Sequence, residues 1–360
     1  MNGPDMDRTR VAVIAMWVAA CGLSAVADAA EDLATPSVPA VREEGVKVHL
    51  RIGGPAERGG LVAALGGSTL SVSLLGPARA AALWALAHRE TVLQKGRVDL
   101  DETGTARLLI AVPRVRHRTV CRLAARAGEA VGERDVVVYP VSALAASAER
   151  LRHLRVGVHD PGGRVQKALA AEGVACEDLE ARIARDFFNG GLVILAGHDR
   201  AETLQEECRR LETRLRDGMT LILLNPPAGW AAWGVTCADL DLPLRSPVQV
   251  AEPLASAVPG EDLGAGPWKA ALEVAGEAAP LVWVEAPKPS SDRAGRDAPS
   301  RRLLAVARPV GRGSVIVSAL PQTLRSDTDA LGRAIFDGLV LWSLDRSNPR
   351  DKQGKETGHD

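Results

Sequence analysis

Residues 199–225, DRAETLQEECRRLETRLRDGMTLILLN, join a long amphipathic pattern to a short apolar run. The apolar residues of the first part lie three or four positions apart and are Leu204, Cys208, Leu211 and Leu215. This spacing predicts a helix with one buried face, which ends at Gly218. The apolar run after Gly218 predicts a strand that is buried on both faces, as in a parallel sheet covered by helices.

The same alternation extends in both directions from this segment. Before it, LRVGVHD and GGLVILAG are strand patterns, and the helical pattern between them ends at Gly173. After it, PLVWVEA, RRLLAVARPV and GSVIVSAL predict further strands, and a closing helix follows. We therefore expect residues 152–344 to form a three-layer α/β domain around a mostly parallel, flavodoxin-like sheet. Residues 345–360 are polar and are expected to form a disordered tail.

Residues 46–141 have a different pattern, with apolar residues at every second position in short runs. The runs are separated by Gly-Gly, Gly-Pro and Glu-Thr-Gly breaks, and they include VKVHLRI, TLSVSLL, TARLLIAV and DVVVYP. Such runs predict an all-β, Ig-like sandwich of about seven strands. Residues 142–151 are then a linker between this sandwich and the α/β domain.

The N-terminus has the pattern of a secretory signal peptide over residues 1–29. Arg8 and Arg10 precede an apolar run over residues 11–27, which is shorter than the about 20 residues of a membrane-spanning helix. Val18-Ala19-Ala20-Cys21 also resembles a bacterial lipobox, so acylation of Cys21 remains an alternative to soluble export. We expect an exported, periplasmic or extracellular protein, with residues 30–45 as a linker.

The overall composition argues against some classes of partner. The formal net charge is −1, so a nucleic-acid partner is not expected, and a membrane is expected only through a lipid anchor at Cys21. The spacing of the cysteines matches no zinc or redox motif. No cofactor is expected. In an oxidising compartment disulfides remain open for the four cysteines that follow the predicted signal peptide, Cys121, Cys176, Cys208 and Cys237.

Three stretches of the second domain carry a resemblance to a known family. They are GGLVILAG, the long helical pattern that ends in LRDGMTLILLN, and RPVGRGSVIVSALP before the terminal helix. On these stretches residues 152–344 resemble the class I glutamine amidotransferase-like superfamily, particularly non-catalytic versions attached to exported bacterial proteins. The resemblance covers slightly over half of the chain and implies an amidotransferase-like fold for this domain.

Enzymes of that family carry a Cys nucleophile on a sharp turn after a central strand, with a later His and an acidic residue. Here the strand LILLN is followed by Asn225, Pro226 and Pro227, none of which can attack a carbonyl. Between His198 and His359 the chain contains no histidine. The resemblance therefore implies a domain that lacks the amidotransferase nucleophile, and no catalytic residue is predicted.

Polar residues follow two of the predicted strands. His159 and Asp160 end the first strand of the α/β domain, and His198 and Asp199 end the third. In a flavodoxin-like sheet these strands are neighbours, so the four side chains, with Asn225 from the next strand, could converge on a ligand or a metal. The sequence does not establish a metal; if one binds, His159 and His198 are its expected ligands. The alternative is structural: Asp160 lies in an ordinary Pro-Gly-Gly turn, and Asp199 is the N-cap of the long helix.

Trp230 and Trp233 follow the double proline and could offer a stacking platform to a sugar ring. Alternatively, they fill the end of the sheet as buried aromatic residues. In the first domain, Arg114, Arg116 and Arg118 form a basic stripe that could contact an acidic polymer or a lipid head group. Alternatively, they form a solvated strand face.

Two functions are consistent with these patterns. The first is an exported, non-enzymatic binding or assembly protein of the bacterial cell envelope, whose partner is an envelope protein or a saccharide. The alternative is a metal-assisted hydrolase or carbohydrate-binding protein that uses the predicted His and Asp cluster.

Overall fold

The structure, a computed structural model, describes residues 51–346 except 54–56, 59–60, 142, 182–185, 187, 245–247, 253, 264–267, 286–300 and 321–328. The predicted signal peptide, Cys21, the predicted linker 30–45 and residues 347–360 lie outside the described residues. Among the helices that are described, none is both long enough and apolar enough to cross a membrane.

The first half of the described chain consists of strands in two sheets. Its strands are β1 Arg51–Gly53, β2 Glu57–Arg58, β3 Leu61–Leu65, β4 Thr69–Leu75, β5 Ala81–His88, β6 Thr91–Asp99, β7 Thr105–Ala111, β8 Thr119–Ala127 and β9 Ala130–Tyr139. One sheet has the order β1-β4-β7, and the other has the order β2-β3-β9-β8-β5-β6. Both sheets contribute to one hydrophobic core, for example through Val72 and Ile110 from the first and Leu123 and Val136 from the second.

The Ig-like sandwich predicted for residues 46–141 is wrong. The described strands divide into three and six, and β3 pairs in parallel with β9, which lies far along the chain. Alternating burial along β4 and β7 follows the predicted period of two. Such alternation determines which side chains face the core, but it does not determine which strands pair, and this is why the topology was not predicted.

The second half combines helices with one large sheet. Its strands are β10 Val156–His159, β11 Cys176–Asp178, β12 Leu192–Leu195, β13 Thr220–Leu224, β14 Ala231–Ala232, β15 Val235–Leu244, β16 Val248–Val250, β17 Trp268–Val274, β18 Ala279–Glu285, β19 Arg301–Val310 and β20 Gly313–Ser318. After a short 3-10 turn at Ala145–Ser147, its helices are α1 Ala148–Leu154, α2 Arg164–Ala171, α3 Ala201–Asp217, α4 Leu254–Ala257, α5 Gly260–Leu263 and α6 Ala330–Arg346. Part of the predicted linker 142–151 is thus helical, and α6 continues two residues into the predicted tail.

The large sheet is mixed, so the predicted three-layer, mostly parallel α/β fold of the flavodoxin or amidotransferase type is wrong. Strands β11, β10, β12, β13 and β20 run parallel to one another in that order. From β20 onward the pairs β20·β19, β19·β17, β17·β15 and β15·β14 are antiparallel, as are β19·β18 and β18·β16. With these strands the described chain is mostly β.

A short connection explains why the antiparallel part begins between β20 and β19. Two parallel neighbours need a crossover of a dozen or more residues, usually a helix. Only Gly311 and Arg312 separate β19 from β20, and Gly311 has a φ of 61°, which suits a tight turn. Strands β15 and β17 were not predicted at all, although ADLDL in β15 alternates apolar and polar residues.

The parallel part matches the predicted order of elements. Every residue of β10, β12 and β13 is buried, as their apolar sequences predict. Helix α3 buries its predicted stripe Leu204, Cys208, Leu211 and Leu215, and it ends at Gly218 with a left-handed φ of 118°. These strands and α3 carry the residues of the candidate site.

A buried ion pair links the two halves of the described chain. Asp262 in α5 accepts hydrogen bonds from the guanidinium of Arg118 and, at 2.6 Å, from the Tyr139 hydroxyl of β9. Burial, reinforced by the negative charge of Asp262, raises the pKa of Tyr139, so its hydroxyl remains a donor. The guanidinium of Arg118 is therefore paired with Asp262 of the same chain. It does not belong to the solvated basic stripe that was predicted for it together with Arg114 and Arg116.

A second buried ionic cluster fixes the C-terminal helix α6. Arg333 donates to Asp337 at 2.8 Å and also to Glu172, and all three side chains are almost completely buried. Burial, with the nearby charge of Glu172, raises the pKa of Asp337 well above its ordinary value despite the opposing effect of Arg333. The guanidinium thus compensates two carboxyl groups in the core.

We expect Arg333→Met to destabilise the protein by about 3–5 kcal/mol, because it leaves Glu172 and Asp337 buried without their cation. Arg209→Met is the matched control, since Arg209 is exposed and pairs with Glu206 on the surface; it should cost less than about 1 kcal/mol. Urea unfolding measures both changes, and the comparison holds when the dependence of the unfolding free energy on urea concentration has the same slope for each variant as for the wild type. Equal midpoints for the two variants would show that the buried cluster does not stabilise the fold.

Candidate functional site

Two neighbouring parallel strands bring two histidines to one edge of the large sheet. His159 is the last residue of β10, and His198 lies in the loop that follows β12. The pairing of β10 with β12 is parallel, with His159 opposite Leu195, as the strand-end argument predicted. Their rings lie edge to face, with centroids 4.8 Å apart and planes at 85°.

A carboxylate from α3 lies between the two imidazoles. Glu207 Oε2 is 2.8 Å from His159 Nδ1 and 2.9 Å from His198 Nε2, so one oxygen accepts from both rings. The side chains are buried, with exposed fractions of 9% for His159, 6% for His198 and 10% for Glu207. We call these three residues the His-Glu-His cluster.

Glu207 was not among the predicted site residues, although the sequence contained a signal for it. Glu207 precedes Cys208 and lies three residues after Leu204 and four before Leu211, so helical spacing places it on the inward side of α3. A carboxylate on a buried helix face needs a partner, because an unpaired buried charge is costly.

The electrostatics of the cluster favour an ionised carboxylate. Burial raises the pKa of Glu207, but the hydrogen bonds from His159 and His198 outweigh it and lower this pKa to about 2. For His198, the other ring nitrogen, Nδ1, is buried and has no hydrogen-bond partner among the described residues. One possible ligand atom from each of the three residues lies within 4.8 Å of the other two, so the cluster could hold a metal ion.

The two predicted aspartates have other positions. Asp160 accepts hydrogen bonds from the backbone N–H groups of Gly162 at 3.1 Å and Val165 at 2.6 Å, so it orders the turn and the start of α2. Asp199 is exposed, and the prediction that it is the N-cap of α3 is wrong because Arg200 occupies that position without a side-chain cap. The predicted convergence of two His and two Asp is thus replaced by two His and Glu207.

Asn225 occupies the strand end next to the cluster. It follows β13, which pairs in parallel with β12, and its backbone N–H donates to Ser318 O at 2.7 Å. Its φ of 51° is left-handed, a conformation that Asn tolerates better than most residues. The chain therefore makes a sharp turn at this point, with an amide side chain instead of a nucleophile.

The tryptophan pair fills the core rather than forming an open platform. Trp230 is fully buried in a cluster that includes Cys208 and Cys237. Trp233 is half-buried, and its ring centroid lies 6.4 Å from that of Trp230. A sugar ring cannot stack on a fully buried indole. For Trp230 the alternative prediction, a buried aromatic residue that fills the end of the sheet, is therefore the correct one.

A cavity of ≈ 290 Å³ adjoins the cluster. The described residues that line it are half apolar, Leu179, Val193, Leu195 and Leu211, and half charged, Asp186, Glu207, Arg210 and Arg214. This volume is near the lower end of the about 300–1,000 Å³ that is typical of ligand pockets. Glu207 therefore belongs both to the buried cluster and to the wall of a cavity that suits a small ligand.

The described cysteines are all free thiols with raised pKa values. They are Cys121, Cys176, Cys208 and Cys237. Burial raises the pKa of Cys208 to about 12 and that of Cys237 to about 11. The Cys237 thiol also donates to Pro226 O at 3.3 Å. Since the thiolate is the reactive form, neither residue is poised as a nucleophile at neutral pH.

Comparisons with known proteins show partial likenesses only. The chain matches no protein-family model and no curated protein. A beta-galactosidase from Rahnella sp. R3 is 13% identical over 52% of this chain and 31% of that one, with a TM-score of 0.32. A Faecalibacterium prausnitzii beta-glucuronidase is 12% identical over 49% of this chain and 29% of that one, with a TM-score of 0.19.

The ASH / PapD-like domain of human CEP192 is 12% identical over 30% of this chain and 95% of that domain, with a TM-score of 0.17. The chain spans under a third of the length of the two glycosidases. Matches at these TM-scores support no argument about fold or activity, and they leave the resemblance to glutamine amidotransferases untested.

We expect Cys208 and Cys237 to resist iodoacetamide at pH 8 in the folded protein, because both thiols are buried and protonated. The half-exposed Cys176 should be modified before them, and all three should react in urea. Peptide mapping by mass spectrometry measures the order. Rapid labelling of Cys237 in the native state would contradict its assignment as an inert core thiol.

Proposed function

We propose that this chain is an exported, non-catalytic binding or assembly protein of the bacterial cell envelope, and that its ligand occupies the His-Glu-His cluster and the adjoining cavity. The observation that carries the proposal is the position of Glu207, which contacts both buried imidazoles and also lines the cavity. The export part rests on the sequence of residues 1–29.

The absence of a poised nucleophile in the neighbourhood supports binding over acyl transfer. The sharp turn after β13 carries Asn225, and the nearby thiols Cys208 and Cys237 have pKa values far above neutral pH. Acyl transfer through a covalent intermediate needs an activated hydroxyl or thiol. Neither the amide of Asn225 nor the protonated thiols of Cys208 and Cys237 is such a group.

The burial of the imidazoles also favours binding over acid-base catalysis. A general base must come within hydrogen-bond reach of the proton that it removes. His159 and His198 are more than nine-tenths buried, and only Glu207 of the cluster lines the cavity. A ligand in the cavity therefore meets a carboxylate first.

One observation favours a second function, metal-assisted hydrolysis of a saccharide or ester. Three protein ligands with an open fourth position are the usual arrangement of a catalytic zinc site. The cluster offers three such ligand atoms within 4.8 Å of one another. This candidate requires turnover that depends on the two histidines.

Thermal unfolding of the purified full chain tests the proposal against a panel of Zn²⁺, Mg²⁺, phosphate, acetate and short oligosaccharides. A ligand at about 100 times its Kd adds about 2.7 kcal/mol to the stability of the folded state. We expect at least one compound to raise the Tm of the wild type and of His153→Ala, whose histidine is exposed, but not that of a His159→Ala/His198→Ala variant.

Two outcomes would contradict the proposal. If no compound raises the Tm of the wild type, the cluster and cavity are structural. If p-nitrophenyl esters or glycosides are hydrolysed by the wild type and by His153→Ala but not by the double variant, the protein is an enzyme and the second function replaces the first.

A further inference from the structure

The geometry of the His-Glu-His cluster is close to that of a metal site without its ion. A tetrahedral ion with bonds of about 2.0–2.1 Å holds its ligand atoms about 3.3 Å apart. The distances from Glu207 Oε2 to the two imidazole nitrogens are 2.8 and 2.9 Å, and no pair of candidate ligand atoms is separated by more than 4.8 Å. Small movements of the side chains would make these distances suitable.

The scaffold holds the three ligands in place from separate elements. His159 ends a strand buried over its whole length, His198 follows a second such strand, and the two strands are paired in parallel. Glu207 lies on the buried face of α3, beside core residues Leu204 and Cys208. Ligands that are fixed by packed strands and a packed helix need little ordering when an ion binds.

Little competes with an ion for His198. Within the described part of the chain, Nε2 of His198 forms a hydrogen bond with Glu207 alone. Nδ1 of the same ring is buried and has no hydrogen-bond partner there. No other group therefore fixes the tautomer of this ring, and Nε2 can present either a proton to Glu207 or a lone pair to a cation.

The donor set selects the kind of cation. Two imidazole nitrogens and one carboxylate oxygen suit Zn²⁺ and Co²⁺ better than Ca²⁺ or Mg²⁺, which prefer oxygen ligands alone. Glu207 also lines the adjoining cavity, which offers space for a further ligand.

We propose that His159, His198 and Glu207 are the protein ligands of a Zn²⁺-type divalent cation, whose fourth position opens toward the adjoining cavity. This inference rests on the proposed function, because it names the ligand of the same site. A cluster that is only a hydrogen-bonded core element is the competing explanation.

Metal titration of the purified, chelator-treated full chain tests the inference with Zn²⁺ and Co²⁺. We expect one equivalent of Zn²⁺ to bind the wild type, and Co²⁺ to give the visible absorption of a four-coordinate site. Loss of a residue that only supports a metal ligand weakens metal binding by up to about 100-fold. We therefore expect the replacement of a direct ligand to weaken Zn²⁺ binding by at least about 100-fold. The variants are His198→Ala and Glu207→Gln.

The matched control is the double variant His153→Ala/Glu149→Gln. It removes another His and Glu pair, which lies on the surface with its charged atoms 3.9 Å apart and both side chains about four-fifths exposed. This control should bind Zn²⁺ as the wild type does. The Co²⁺ spectrum of the wild type keeps the test decisive even if a cluster variant fails to fold.

The inference is overturned if the wild type binds neither ion, or if folded His198→Ala and Glu207→Gln bind as tightly as the wild type. If Zn²⁺ fails but another compound raises the Tm through the two histidines, the metal inference fails and the binding function stands. If no ligand acts at all, both fail.

Discussion

A charge that is removed from water must be paired, and this requirement determines how distant parts of the described chain are joined. Asp262 of α5 pairs with Arg118 and with the Tyr139 hydroxyl, which links the second half of the described chain to the first. Arg333 joins α6 to Glu172, far from it in sequence. Glu207 is the third such charge, and its partners are two histidines rather than an arginine.

The third cluster differs from the other two in a way that favours function. An arginine remains charged at any physiological pH and offers no lone pair, whereas an imidazole can act as a donor or as a metal ligand. The His-Glu-His cluster also lies at the carboxyl ends of parallel strands, where open sheets commonly bind ligands, and one of its members lines a cavity. The mixed character of the sheet does not disturb this edge, because the antiparallel strands begin only beyond β20.

The local elements around the site could be predicted from the sequence, but the complete fold could not. The apolar runs of β10, β12 and β13 and the stripe of α3 determine these elements, and adjacent strand ends place His159 near His198. Glu207 was missed because Asp160 and Asp199 directly follow the histidines in sequence, whereas Glu207 reaches them only through the packing of α3. The pairing of β3 with β9 and the antiparallel strands β15 and β17 depend on long-range contacts that periodicity does not encode.

We propose that one carboxylate and two imidazoles together form a binding site for a cation. X-ray absorption at the zinc edge, measured on the full chain loaded with one equivalent of Zn²⁺, reports the ligands directly. We expect nitrogen and oxygen neighbours at about 2.0–2.1 Å, with the outer scattering of imidazole rings and no sulfur. Sulfur at about 2.3 Å would place the ion on cysteines instead. Either that result or a shell without imidazole scattering would rule out binding by His159, His198 and Glu207.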